Sequence, residues 1–170
     1  MIQNHAAQTL SEQFLQIEGI PPGQVVAGYA AIGNELNPEL LMLSLSSRGY
    51  KLCLPVMQDE GQPLVFQEYY FGDALDTQNK YMIPQPAADR VVLAPDVLLV
   101  PLLGFNADCH RIGYGKGYYD RTLAELRAHK KIIAVGVAYD EQLTEFTPQP
   151  HDQRLNYVVT PTRVHYGLAP

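Results

Sequence analysis

The chain has 170 residues, of which 46% are hydrophobic and 18% charged, and 12 Lys and Arg stand against 18 Asp and Glu for a formal net charge of −6. This length fits one domain with a layered core, and the proportions are ordinary for a globular protein. The acidic balance argues against a nucleic-acid partner, no apolar run approaches the roughly 20 residues that cross a bilayer, and the two cysteines, Cys53 and Cys109, make no disulfide framework. Met1 to Leu15 lacks the cationic stretch of a secretory signal, so a reducing cytoplasm is the expected setting.

Residues 3–17 carry Ala7, Leu10, Phe14 and Ile17 at helical spacing, and Gly19, Pro21, Pro22 and Gly23 stop the helix. Val25 to Ala31 reads as a short buried strand. Asn37 offers a cap, Pro38 suits a first helical position, and Glu39 complements the positive end of a helix that reaches about Ser47 and stops at Gly49. Lys51–Val56 and Leu64–Tyr69 read as strands parted by the turn-like Gln58 to Gly61. Residues 72–96 hold Gly72, Pro84, Pro86 and Pro95 and are expected to form a surface excursion. Val97 to Pro101 is a continuous apolar run, as in a strand buried on both faces. A glycine-rich loop follows, then a helix from about Tyr118 to Ala128 and an apolar strand from Ile132 to Val137. Tyr157 to Thr160 can add a last strand. The alternation predicts an α/β fold: an open, mainly parallel sheet with helices on both faces, three layers in all.

Charge is unevenly spread. Arg111, Lys116, Arg121, Arg127, Lys130 and Lys131 lie within 21 residues, whereas no Lys or Arg precedes Arg48. An acidic chain that gathers its cations in one stretch is expected to bind an anion there. Within that stretch runs Arg111-Ile-Gly-Tyr-Gly-Lys-Gly-Tyr-Tyr-Asp-Arg121. Alternating Gly113, Gly115 and Gly117 let backbone N–H groups approach an anion, and the loop runs into a helix start, which favours one further. It lies just beyond a strand's carboxyl end, where ligands of open α/β sheets bind. Lys116 is followed by Gly117 rather than Ser or Thr, so this is not a Walker A loop, and the glycine spacing is not that of a dinucleotide fingerprint.

Together with Leu99-Val-Pro-Leu-Leu-Gly-Phe-Asn106, that run resembles the signature of the 5-formyltetrahydrofolate cyclo-ligase family. Gly33-Asn34-Glu35, Ile83-Pro-Gln-Pro86 and Pro150-His-Asp-Gln-Arg-Leu155 follow the same pattern in order. The likeness runs from about residue 5 to residue 160 and implies a Rossmann-like fold. The implied reaction turns 5-formyltetrahydrofolate into 5,10-methenyltetrahydrofolate with ATP and Mg²⁺, through phosphorylation of the formyl oxygen and attack by N10. The resemblance assigns the ATP phosphates to Arg111, Ile112, Gly113, Tyr114, Gly115, Lys116, Gly117, Tyr118 and Tyr119. Arg111 and Lys116 neutralise charge in the phosphoryl transfer. Part of the same loop, Tyr114 to Tyr118, also lines the folate pocket with Glu35, which accepts from the pterin ring. Asp120 and Asp152 resemble the Mg²⁺ ligands, with His151 placed to orient Asp152.

Other readings of the same residues remain. Tyr118 and Tyr119 either stack on a flat ligand or pack the helix start against the sheet. Asp120 and Asp152 are also common helix-start and turn residues. His5, His129 and His165 read as surface residues. Relatives carry a basic Lys-x-x-x-Arg-type N-terminal element that contacts ATP, and residues 1–170 read as one domain without it. Asn156 and Pro161 stand where acidic residues are common. The expected activity is therefore the cyclo-ligase reaction by a monomer, with a non-catalytic folate- or nucleotide-binding relative as the alternative.

Overall fold

The computed structural model describes the backbone from Ile2 to Pro170 and the side chains from His5 onward. Seven strands form one sheet in the order β3-β2-β1-β4-β7-β8-β9. They are β1 (Val25–Ala27), β2 (Lys51–Val56), β3 (Val65–Tyr69), β4 (Val97–Pro101), β7 (Ile133–Val137), β8 (Tyr157–Val159) and β9 (Val164–Tyr166). The five inner strands are parallel, and β3 and β9 close the edges antiparallel. The chain is therefore α/β and mainly parallel, as the sequence predicts.

Two helices, α1 (Ile2–Phe14) and α2 (Glu39–Ser47), cover one face, where Leu10, Phe14, Leu41 and Leu45 meet Val26, Leu52, Val97 and Val135. The third, α3 (Tyr118–His129), covers the other, where Leu123 joins Cys53, Leu98, Val100, Ala134 and Val158. Consecutive strand residues thus feed opposite cores, which is why β4 and β7 read as unbroken apolar runs. α2 begins where Asn37 Oδ1 accepts the Glu39 N–H at 3.0 Å. It ends at Gly49, whose φ of 90° lets its own N–H reach Ser46 O and that of Tyr50 reach Leu45 O.

Several expectations need correction. The first helix stops at Phe14 rather than Ile17, and β1 stops at Ala27 rather than Ala31. Beyond Gly28 the chain leaves the sheet, and Tyr29 turns inward to donate to Leu36 O at 2.6 Å. Two short pieces, β5 (Gly104–Phe105) and β6 (Arg111–Ile112), form a hairpin between β4 and the glycine loop. Residues 91–93 lie along β3 rather than standing off the body, with Glu68 N donating to Val91 O and Leu93 N to Phe66 O.

Candidate active site

β1 pairs with β2 on one side and β4 on the other, so connections leave in opposite directions from β1 and open a crevice at the strands' carboxyl ends. A cavity of about 670 Å³ occupies this position. Its walls come from residues 29–35, 55–64, 80–84, 101–120 and 146–152. Every residue proposed from the sequence as a ligand contact lies on it: Glu35, Arg111, Ile112, Gly113, Tyr114, Gly115, Lys116, Gly117, Tyr118, Tyr119, Asp120 and Asp152.

The loop owes its shape to its glycines. Gly115 and Gly117 have φ of 95° and 71°, and Gly117 forms the N-terminal cap position of α3. Gly113 has a different constraint, because a Cβ there would stand 2.8 Å from Arg111 Nη1. The guanidinium therefore lies directly against the loop backbone. Lys116 is exposed near the loop apex.

Arg111 is only 7% exposed, and its polar contacts are sparse. Nη1 donates to Pro101 O at 3.4 Å, Nη2 lies 4.0 Å from Asp120 Oδ1, and Nε has no partner among the described residues. The guanidinium carbon sits 5.4 Å from the Tyr119 ring centroid. Burial lowers the Arg111 pKa from its ordinary value, with Asp120 the leading counterweight and Asp152 a smaller one. A buried cation with unused donors is arranged to receive an anion.

The two aspartates are tied to one segment. Asp120 Oδ1 accepts the Gln153 N–H at 3.0 Å, and Asp152 Oδ2 accepts the Gln149 N–H at 2.8 Å. His151 Nε2 lies 3.6 Å from Asp152 Oδ1. Among the described residues, these bonds leave Asp120 Oδ2 without a hydrogen-bond donor and Asp152 Oδ1 with only the His151 contact. Among the described residues, no three His, Cys, Asp and Glu side chains are grouped to hold a metal. Two carboxylates can still hold Mg²⁺ when phosphates and waters complete its shell, and the donor set here fits that arrangement.

Across the cavity, Glu35 Oε1 accepts the Ile32 N–H at 2.8 Å and Oε2 accepts the Tyr114 hydroxyl at 2.7 Å. Burial and that hydrogen bond raise the Tyr114 pKa well above the usual tyrosine value. Tyr119 packs into the core beneath the loop, and burial raises its pKa too. Tyr118 donates to Gln58 O at 3.0 Å and carries the Arg121 guanidinium over its ring at 5.1 Å. Arg121 also donates to Gln62 O at 3.4 Å and does not line the cavity, so it is not one of the loop's free cations. His5 and His129 are exposed, but His165 packs edge-on against Phe105 at 4.9 Å and burial lowers its pKa.

One wall escapes the sequence reading. The segment expected to be a surface excursion bends into the cavity at Lys80, Tyr81, Ile83 and Pro84. Asn79 builds that bend, accepting from Tyr81 N at 3.0 Å and donating to Ile83 O at 2.7 Å. Tyr81 then donates to the same Gln58 carbonyl that Tyr118 uses, at 2.8 Å. The motif Ile83-Pro-Gln-Pro86 was the available signal. Gln85 shows what it does: its Oε1 accepts the Met57 N–H at 2.7 Å and pins the bend to the end of β2.

Comparison with known proteins agrees with the fold. Residues 2–161 match the model of the 5-formyltetrahydrofolate cyclo-ligase family. A 5-formyltetrahydrofolate cyclo-ligase of Escherichia coli K12 is 32% identical over 168 residues, covering 95% of this chain and 91% of that protein. One from Mycolicibacterium smegmatis is 33% identical over 147 residues, covering 83% and 75%. A solved 5,10-methenyltetrahydrofolate synthetase from Mycoplasma pneumoniae superposes with a TM-score of 0.73 at 23% identity, over 94% of this chain and 87% of the other. That of Aquifex aeolicus gives the same TM-score at 25% identity, over 94% and 80%.

Proposed function

The chain belongs to the 5-formyltetrahydrofolate cyclo-ligase family, and on that premise we propose that it cyclises 5-formyltetrahydrofolate to 5,10-methenyltetrahydrofolate, consuming one ATP. The observation that carries the proposal is one cavity with a buried, under-bonded arginine beneath a glycine loop and a carboxylate facing it. The first feature suits phosphates and the second a ring rich in N–H donors.

In this reading the formyl oxygen attacks the γ-phosphorus and the bond to the ADP oxygen breaks. N10 then adds to the activated carbon, and the phosphate leaves with the former formyl oxygen while N10 loses its proton. Phosphoryl transfer demands positioning and charge neutralisation rather than covalent help from the protein. Arg111 supplies a cation held in place by burial, and Lys116 one on the exposed loop apex. The loop N–H groups cradle the phosphates. Glu35 orients the pterin, fixing the formyl group relative to the nucleotide. Asp120 and Asp152 would hold Mg²⁺, which when bound offsets negative charge on the phosphates. Two buried free thiols suit a reducing cytoplasm.

The test is the appearance of methenyl-folate absorbance when the protein meets 5-formyltetrahydrofolate, ATP and Mg²⁺. Binding of the folate without that signal would favour a non-catalytic relative.

A further inference from the structure

We propose that the Tyr114–Glu35 hydrogen bond is a latch that the substrate must displace, and that its release couples folate binding to nucleotide binding. The inference rests on the assignment of Glu35 to the pterin and deepens it.

Each Glu35 oxygen already accepts one hydrogen bond in this structure. Oε1 is held by Ile32 N within its own turn at 2.8 Å, and Oε2 is held by the Tyr114 hydroxyl at 2.7 Å. These two contacts differ in kind. The first is local and fixes the carboxylate's direction. The second joins residues 79 positions apart and brings the phosphate loop to the opposite wall of the cavity. A ring that offers two adjacent N–H donors must approach both oxygens from one side, and at Oε2 the Tyr114 ring and hydroxyl stand against that approach, although the oxygen keeps a second lone pair.

The loop is built to move when that bond opens. Tyr114 is 51% exposed and lies between Gly113 and Gly115, so little packing holds the apex apart from its hydroxyl. Below it, Arg111 lies against Gly113 and keeps the loop's base in place. Opening the latch thus frees residues 114–116, including Lys116, while the base stays fixed. A nucleotide that needs the apex turned toward its phosphates faces the same closed contact. Whichever ligand arrives first opens it, and the second binds to a loop already released. Linkage then requires each ligand to raise the other's affinity by the same factor. Tyr114 is in this sense a positioning residue, acting through Glu35.

Calorimetry on the wild type, Tyr114→Phe and Glu35→Gln tests this. The ligands are 5-formyltetrahydrofolate and ADP with Mg²⁺, each titrated alone and into protein saturated with the other. In the wild type each is expected to tighten the other about two- to tenfold, the range that one hydrogen bond carries in net terms. Tyr114→Phe is expected to bind the folate alone more tightly by a similar factor and to show coupling near one. Unchanged or weaker folate binding by Tyr114→Phe, or coupling that persists in it, overturns the latch. Glu35→Gln separates the layers. If it binds folate as well as the wild type does, the assignment of Glu35 fails and the latch falls with it. If it binds folate weakly while Tyr114→Phe gains nothing, the latch alone fails.

Discussion

Arg111 Nη2 and Asp120 Oδ1 stand 4.0 Å apart in the cavity wall, beyond hydrogen-bond reach but well within Coulomb range. The aspartate oxygen is already bonded to Gln153 N at 3.0 Å, so the pair is oriented from the aspartate's side and the arginine is left with donors to spare. A buried pair of this kind adds little to stability, because desolvation offsets its attraction.

Replacing the cation should therefore separate activity from stability. Arg111→Met is expected to lower kcat/KM roughly a hundred- to thousandfold, as loss of a buried transition-state contact does. Asp120 keeps its bond from Gln153 N and is partly exposed, so the unfolding free energy should fall by less than the roughly 3–5 kcal/mol that removing one partner of a fully buried pair costs. Steady-state kinetics beside urea denaturation decide the point, and a large loss of stability would make Arg111 a structural residue.

Lys116 has the opposite character, being exposed on the loop. Lys116→Ala is expected to raise the KM for ATP by about ten- to 150-fold, the equivalent of one lost charge-assisted contact, and to change the KM for folate much less. Equal rises in both would place Lys116 between the two ligands rather than on the phosphates.

At the other end of the sheet, Asp96 joins three elements. Its Oδ2 accepts Val25 N at 2.8 Å and its Oδ1 accepts Lys130 Nζ at 2.9 Å. Burial works against its charge, but the bonds from Lys130 and Val25 outweigh it and hold its pKa below the ordinary 3.8. A depressed folded pKa contributes stability above the unfolded value and loses it as pH falls through the folded one. Asp96→Asn should therefore melt lower than wild type from neutral pH to about pH 4, and the two curves should converge at more acid pH. Parallel melting curves down to strong acid would remove Asp96 as the cause. The KM values should not move, since Asp96 lies far from the cavity walls.

Asn156 is 3% exposed and makes three side-chain hydrogen bonds. Its Oδ1 accepts Ala134 N at 2.7 Å and Arg127 Nη2 at 3.2 Å, and its Nδ2 donates to Leu168 O at 3.0 Å. Asn156→Ala strands a buried N–H and a half-buried guanidinium, so a loss of about 1–3 kcal/mol is expected, read as a lower urea midpoint at unchanged slope. Asn156→Asp should fall between, because it keeps both accepted bonds and sets an acceptor against Leu168 O. An unchanged midpoint in Asn156→Ala would mean that water replaces the amide.

Strands β2, β4 and β7 were legible because runs such as Val97 to Pro101 bury alternate residues in two different cores, and only a sandwiched strand needs that. The glycine loop was legible because Gly115 and Gly117 adopt φ that other residues resist, which leaves a mark in composition. The hairpin of β5 and β6 left none, since two-residue strands have no period. β9 is three residues between Pro161 and Gly167, too short to alternate visibly. The inward bend at Lys80 and Tyr81 was hidden for another reason. It depends on Asn79 bonding within its own turn and on Gln85 and Gln58 bonding across long stretches of chain, and polar residues near prolines look the same in a solvated loop. The closed state of Glu35 also lay beyond sequence, because only folding brings Tyr114 to it.

Both thiols are buried, Cys53 beneath the sheet and Cys109 beside β6. Burial raises both pKa values, that of Cys109 to about 11. Neither is a thiolate at neutral pH, so the folded protein should be silent toward maleimides and iodoacetamide. The native chain is then a ready background for a single fluorescent label. Met82 is 85% exposed at the bend whose neighbours Tyr81 and Ile83 line the cavity. A dye attached through Met82→Cys would watch the entrance fill and empty, and no native cysteine would have to be removed first.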